Sequence, residues 1–279
     1  MAPGRSHGGP ALRARYAAPM HPVRQLIGSS PLVISVPHAG TWLPPAVAAS
    51  LSPAARDLPD TDWHVDKLVA GLEDLDATVL VATHARMHVD LNRPSDDTPL
   101  YPGQAGTGLV PETLFDGAAA WMSPPTAEDK AARVETVWRP YHQALRDALD
   151  RAMARHGHAV LLDVHSIRGR VPRLFEGRLP DLNLGTNSGA SCAPDLRRAA
   201  AAVLAAAPFT HVVDGRFKGG YITRAHGQPD QDVHAVQLEM AWHTYMDERR
   251  MPPVWDAPRA AALRHVLRDL ARVLTGWRP

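Results

Sequence analysis

Two histidines stand at the ends of apolar runs. His38 follows Pro31-Leu-Val-Ile-Ser-Val-Pro37, and His165 follows Ala159 to Val164. Short apolar runs bounded by turn signals read as buried strands. Two imidazoles at two strand ends can converge, although 127 residues of chain separate them. Two His, one carboxylate and an open position make a catalytic zinc set. Asp62, at an expected helix start, is the candidate carboxylate. Asp163 lies two residues before His165, on the same face of a strand, and can support that imidazole from behind. Taken alone, either histidine reads as a hydrogen-bonded core residue.

Further polar groups sit at comparable positions. Asn92-Arg93 closes an expected strand and can grip a carboxylate through the planar guanidinium fork, or form an ordinary loop ion pair. Arg86, seven residues before Arg93, can place a cation beside a developing oxyanion. Glu239 lies in an apolar run, Val233 to Met240. A glutamate there is costly unless it is paired or functional. Buried near activated water it makes a general base, because burial raises its pKa toward neutrality; on an edge strand it would face solvent. Phe217-Lys-Gly-Gly-Tyr-Ile-Thr-Arg224 offers two glycines and several donors, suited to clamp an anion or to form a plain turn.

These residues need elements to position them. Expected strands cover 31–37, 78–82, 87–91, 159–164, 210–213, 219–223 and 233–240. Expected helices run from a cap at Asp60–Asp62 to about Leu75, from Thr126 to about His156 with a kink at Pro140, over 194–206, and from about Ala257 to Leu274. Strand–helix alternation predicts an α/β fold, a mixed and largely parallel sheet flanked by helices. In open sheets of this kind ligands bind beyond the carboxyl ends of the strands. The proline-rich stretch 95–125 is long enough to be functional or a lid. Residues 1–24 read as a flexible tail and 25–279 as a single catalytic α/β domain.

Composition narrows the classes. Of 279 residues, 30 are Lys or Arg and 29 Asp or Glu, a net charge of +1, which argues against a nucleic-acid surface and gives no support for a polybasic membrane anchor. One cysteine excludes an intrachain disulfide and a cysteine-built zinc site, whereas fifteen histidines leave imidazole and carboxylate as the metal ligands. The first 25 residues hold four arginines and no secretory apolar stretch, and no apolar run approaches the roughly 20 residues of a membrane span. The expectation is a cytoplasmic protein, monomeric by default. There is no Gly-x-Ser-x-Gly elbow or phosphate loop, so hydrolysis would be metal-based.

The motifs Ser35-Val-Pro-His-Ala-Gly40, Asp60-Thr-Asp-Trp-His-Val-Asp66, Asp90-Leu-Asn-Arg-Pro94, Asp163-Val-His-Ser-Ile-Arg168, Pro172-Arg-Leu-Phe175, Leu179 to Asn187, Phe217 to Arg224 and His234-Ala-Val-Gln-Leu-Glu239 occur in this order. Together they resemble the N-formylglutamate amidohydrolase family over roughly residues 30–250. The family resembles zinc carboxypeptidases and aspartoacylase in fold. The resemblance implies hydrolysis of N-formyl-L-glutamate, a small dicarboxylate, to formate and L-glutamate in histidine breakdown. It implies zinc held by His38 and His165, Glu239 as base, Arg86 as the oxyanion cation, and Asn92 with Arg93 on a substrate carboxylate. Arg168 and Arg224 are assigned to the second carboxylate from their charge. Zinc carboxypeptidases carry an acidic ligand three residues after the first His, where this chain has Thr41. The carboxylate ligand is therefore Asp62, with Asp66 as rival. A related zinc hydrolase of other N-acyl amino acids or small peptides, and an anion-binding protein without catalysis, are the alternatives.

Overall fold

The computed structural model describes residues 21–100, 103 and 106–279. Most of the expected tail, and part of the 95–125 stretch, lie outside the described residues. Seven strands form one sheet: β1 (Val23–Leu26), β2 (Leu32–Val36), β3 (Thr78–Ala82), β4 (Ala159–Ile167), β5 (Leu182–Gly185), β6 (His211–Val213) and β7 (Val233–Ala241). Their order is β1-β3-β2-β4-β7-β5-β6. β3, β2, β4 and β7 run parallel, while β1 and β5 pair antiparallel with their neighbours β3 and β7. The fold is thus the expected mixed, largely parallel α/β sheet.

Every residue of β2, β3 and β4 is buried. Strands covered on both faces read as continuous apolar runs, which is why these were visible in the sequence. β5 is only four residues, and β1 is an edge strand with three of its four residues exposed. Neither carries a long apolar pattern, and Val23 and Arg24 of β1 fall within the stretch expected as tail.

Helices cover both faces. On one side pack α2 (Val65–Val69), α5 (Pro194–Ala206) and α7 (Ala257–Gly276); α1 (Pro45–Ser50) is a short helix after the first loop. On the other lies α4 (Arg139–His156), which buries Tyr141, Leu145, Ala148, Leu149 and Ala152. α3 (Ala127–Arg133) starts with the expected capping box of Thr126 and Asp129. A π-helical turn, Val134–Trp138, joins α3 to α4 just before Pro140. Gly157 ends α4 in the left-handed conformation (φ 74°). Among the described residues no helix is long and apolar enough to cross a membrane.

Three expected elements differ. The strand expected at 87–91 is a series of turns, with His88 N donating to Ala85 O and Arg93 N to Asp90 O. The strand expected at 219–223 is instead a short helix, α6 (Tyr221–His226), entered through Gly219 (φ 119°). The helix expected from Asp60 is only Val65–Val69, preceded by turns and by His64 at φ 63°. Asp62 cannot cap it, because its carboxylate points into the protein toward two histidines.

Candidate metal centre

β2 and β4 are adjacent and parallel, so their carboxyl ends open on the same rim. His38 stands just past β2, and His165 lies near the end of β4. The loop after α1 brings Asp62 between them, with Asp62 N donating to His38 O at 3.0 Å. All three side chains are buried. His165 Nδ1 is 3.2 Å from His38 Nδ1 and 3.2 Å from Asp62 Oδ2, and His38 Nδ1 is 3.6 Å from Asp62 Oδ2. Four-coordinate zinc with bonds of about 2.0–2.1 Å sets its ligands about 3.3 Å apart. The three separations match that spacing.

The opposite ring nitrogens fix which atoms face inward. His38 Nε2 donates to Asp90 Oδ1 at 2.7 Å, and His165 Nε2 donates to Asp163 Oδ2 at 2.8 Å. Each carboxylate thereby holds a proton on Nε2 and presents Nδ1 toward Asp62 as the atom that takes a cation, metal ion or proton. Two lone pairs and a carboxylate in a buried space call for a cation. The titration directions agree. Burial pulls the His165 pKa down, but Asp163 and Asp62 reverse this and hold it well above its ordinary value. Burial pushes the Asp62 carboxyl up, and the two histidines more than offset it, leaving it lowered.

The irregular segment 86–93 supplies the next groups. Arg86 Nη2 donates to Asp90 Oδ2 at 2.6 Å, and its guanidinium lies 4.8 Å from the centre of the Phe115 ring. Asp90 therefore ties a candidate ligand, His38, to the candidate oxyanion cation. Against the cost of burial, Arg86 and His38 hold the Asp90 pKa well below its ordinary value. An extended strand would put Arg86, Asp90 and Asn92 on one face but spread them over about 20 Å; the turns bring all three to the centre. Asn92 Nδ2 lies 3.1 Å from His165 Nε2, and its Oδ1 accepts from Ile222 N at 2.8 Å. A Cβ at Gly220 would come within 2.1 Å of Asn92 Nδ2, so the glycine is required by close approach.

Glu239 pairs in register with His165 across β4 and β7, which puts both on one face. It is buried, and burial pushes its carboxyl up to about 8, with His165 opposing and Asp62 reinforcing. Gln237 Nε2 reaches Glu239 Oε2 at 3.4 Å, and Gln237 Oε1 accepts from Gly220 N at 2.7 Å.

One cavity is lined by His38, Asp62, His165, Arg86, Glu239, Asn92 and Arg93. Arg93 Nε donates to Thr107 O at 2.7 Å. Arg168 and Arg224, expected at the second carboxylate, do not line it. Arg168 Nη2 donates to Pro59 O and its guanidinium lies over Trp242, whereas Arg224 Nε turns back to Gly219 O. Arg216 lines the cavity instead. It sits one residue ahead of the Phe217–Arg224 motif, a position that charge and spacing did not distinguish. Asp66 is not a fourth member: it stands on α2, ion-paired with Arg24 at 3.3 Å and with its side chain 34% exposed. Asp90, Gln237 and Arg216 are the groups that sequence reasoning left without a role.

The chain is similar to known proteins along most of its length. Residues 30–246 match the sequence profile described as N-formylglutamate amidohydrolase. The N-formylglutamate deformylase of Pseudomonas aeruginosa is 53% identical over 253 residues, covering 90% of this chain and 94% of that protein. The N-formylglutamate deformylase of Pseudomonas putida is 48% identical over the same coverage. The crystal structure of N-formylglutamate amidohydrolase from Ralstonia eutropha JMP134 superposes with a TM-score of 0.77 at 26% identity, covering 92% of this chain and 96% of that one.

Proposed function

The chain belongs to the N-formylglutamate amidohydrolase family, and from that premise we propose that it hydrolyses N-formyl-L-glutamate to formate and L-glutamate with zinc at His38, Asp62 and His165. The observation that carries this reading is the convergence of His38 Nδ1, His165 Nδ1 and Asp62 Oδ2 within 3.6 Å of one another, in a cavity that Glu239 and Arg86 also line. Zinc bound there would acidify water, polarise the formyl carbonyl and bring the Glu239 pKa down from its raised value.

The chain's own groups account for the rest. Glu239 takes a proton from the attacking water as the new C–O bond forms at the formyl carbon. The same carboxyl returns that proton to the amide nitrogen as the C–N bond breaks, so formate and a free amine leave. Arg86, held by Asp90, meets the negative charge on the formyl oxygen; loss of one such donor typically costs about 10²–10³ in rate. Arg93, with Asn92 beside it, and Arg216 supply the positive charge that two substrate carboxylates need. Arg168 and Arg224 lie outside the cavity wall, so we assign them no direct contact.

The sheet draws strands from residues 23–241, which supports reading 25–279 as one catalytic domain. With the activity goes its setting, histidine breakdown in the cytoplasm by a monomer. The test is formate release from N-formyl-L-glutamate by protein given one equivalent of zinc, beside a chelator-treated control. Rapid zinc-dependent release is expected. A folded, zinc-loaded protein that releases no formate refutes the substrate, and full activity after chelation refutes the metal.

A further inference from the structure

Behind His165 lies a chain of hydroxyls that the proposed reaction does not use. Asp163 Oδ2 accepts from His165 Nε2 at 2.8 Å, and its other oxygen, Oδ1, accepts from Ser35 Oγ at 2.8 Å. Ser35 Oγ is in turn 3.0 Å from Tyr141 Oη. The three elements involved are fixed by the fold: Ser35 pairs in register with Asp163 across β2 and β4, and Tyr141 projects from α4 onto that face. Ser35, Tyr141 and Asp163 have no exposed surface.

The direction of these hydrogen bonds is forced. A carboxylate only accepts, and a serine hydroxyl has one proton. Ser35 gives that proton to Asp163, so it must accept from Tyr141. Burial pushes the Tyr141 phenol far above its ordinary value, which keeps its proton in place. The chain therefore runs one way, from Tyr141 O–H to Ser35 O–H to Asp163. From its other side Asp163 receives the Nε2 proton of His165.

We propose that Tyr141 and Ser35 are positioning residues for the metal: they lock the Asp163 carboxylate in the orientation that holds the His165 proton on Nε2 and leaves Nδ1 bare for the cation. Without the hydroxyls, Asp163 is free to rotate away from Nε2. The proton can then sit on Nδ1, where it excludes the metal. This inference rests on the reading of His38, Asp62 and His165 as metal ligands. It assigns a role to two residues that touch neither metal nor substrate.

The test uses the full chain and zinc as the probe. Zinc affinity is measured by competition with a chromophoric chelator for wild type, Ser35→Ala, Tyr141→Phe and the double variant. Loss of a group supporting a ligand costs about 10–100-fold in metal affinity. Ser35→Ala is expected to weaken zinc binding about 10-fold, and Tyr141→Phe by less. The double variant should match Ser35→Ala, because Tyr141 acts only through Ser35. Proton NMR of the zinc-loaded protein should show the His165 Nε2–H resonance shifted in both single variants, with that of His38, held by Asp90, unmoved. Tyr141→Phe keeps the ring in the core and so separates the hydroxyl from packing. Single variants that bind zinc like wild type, or losses that multiply in the double variant, overturn the inference. A wild-type chain that binds no zinc overturns the metal reading itself and this inference with it.

Discussion

Asp90→Asn removes one full negative charge from the centre and little volume. Asp90 Oδ1 accepts from His38 Nε2 at 2.7 Å and from Asn92 N at 2.9 Å, while Oδ2 accepts from Arg86 Nη2 at 2.6 Å. An asparagine offers one accepting oxygen and one NH₂. With the oxygen toward His38, the NH₂ meets the Arg86 guanidinium, donor against donor, and Arg86 loses the nearest of its buried counter-charges, with Asp62 left at 3.9 Å. With the amide reversed, the NH₂ meets His38 Nε2. His38 then moves its proton to Nδ1, the atom that faces the metal position. Breaking a buried ion pair by removing one charge costs about 3–5 kcal/mol. At about 2–4 °C per kcal/mol for a chain near this size, the melting midpoint of the metal-free protein should fall by about 10 °C. Zinc affinity should fall about 10–100-fold, and kcat by about 10²–10³ as Arg86 leaves the oxyanion. Differential scanning calorimetry, chelator competition and formate release read the three quantities. A variant with unchanged midpoint and unchanged zinc affinity would refute the reasoning that Asp90 joins ligand to cation.

Three further outcomes are expected. Glu239→Gln should keep zinc affinity and lose about 10²–10⁴ in kcat; wild-type formate release by this variant would remove Glu239 from the role of base. Gly220→Ala should displace Asn92, whose Nδ2 lies 2.1 Å from the added carbon, at about 1–3 kcal/mol in stability, with a raised KM for the substrate; unchanged KM and midpoint would show that the two segments part freely. His142 is buried, and burial pulls its pKa down to about 3, with His226 adding to the shift. A histidine with a lowered folded pKa stabilises the fold fully above its unfolded value near 6.5, and the stability is lost as pH falls from there toward 3. Between pH 7 and pH 5 this group alone accounts for about 2 kcal/mol. In urea unfolding at the two pH values, His142→Gln, which can still donate to Leu91 O, should lose about 2 kcal/mol less on acidification than wild type, and an equal acid loss in both would contradict the assignment.

The buried parallel strands β2, β3, β4 and β7 were legible because burial on both faces writes an unbroken apolar run, and the rim after such strands is where a site belongs. That logic led to His38, His165 and Glu239, which line one cavity. β1 and β5 were not legible because short strands carry little periodicity. The other departures have a different origin, and they share a location. At 60–65, 86–93 and 219–222 the local pattern suggested a cap or a strand, and in each case the backbone does something else. Asp62 has the composition of an N-cap, but its carboxylate faces His38 and His165. The alternation around Asp90 has the period of a strand, but a strand would string Arg86, Asp90 and Asn92 along about 20 Å of one face instead of gathering them at one focus. Gly219 and Gly220 open a helix where β-branched and aromatic neighbours suggested extended chain, because Asn92 needs the space a Cβ would take. In all three segments the demands of the centre override the local pattern: Asp62 turns to the histidines, Asp90 joins His38 to Arg86, and Gly220 makes room for Asn92. A mismatch between local propensity and backbone is what a functional site is expected to leave in a sequence. Here the mismatches themselves surround the cavity, and they mark Asp90 and Gly220, which residue type alone did not.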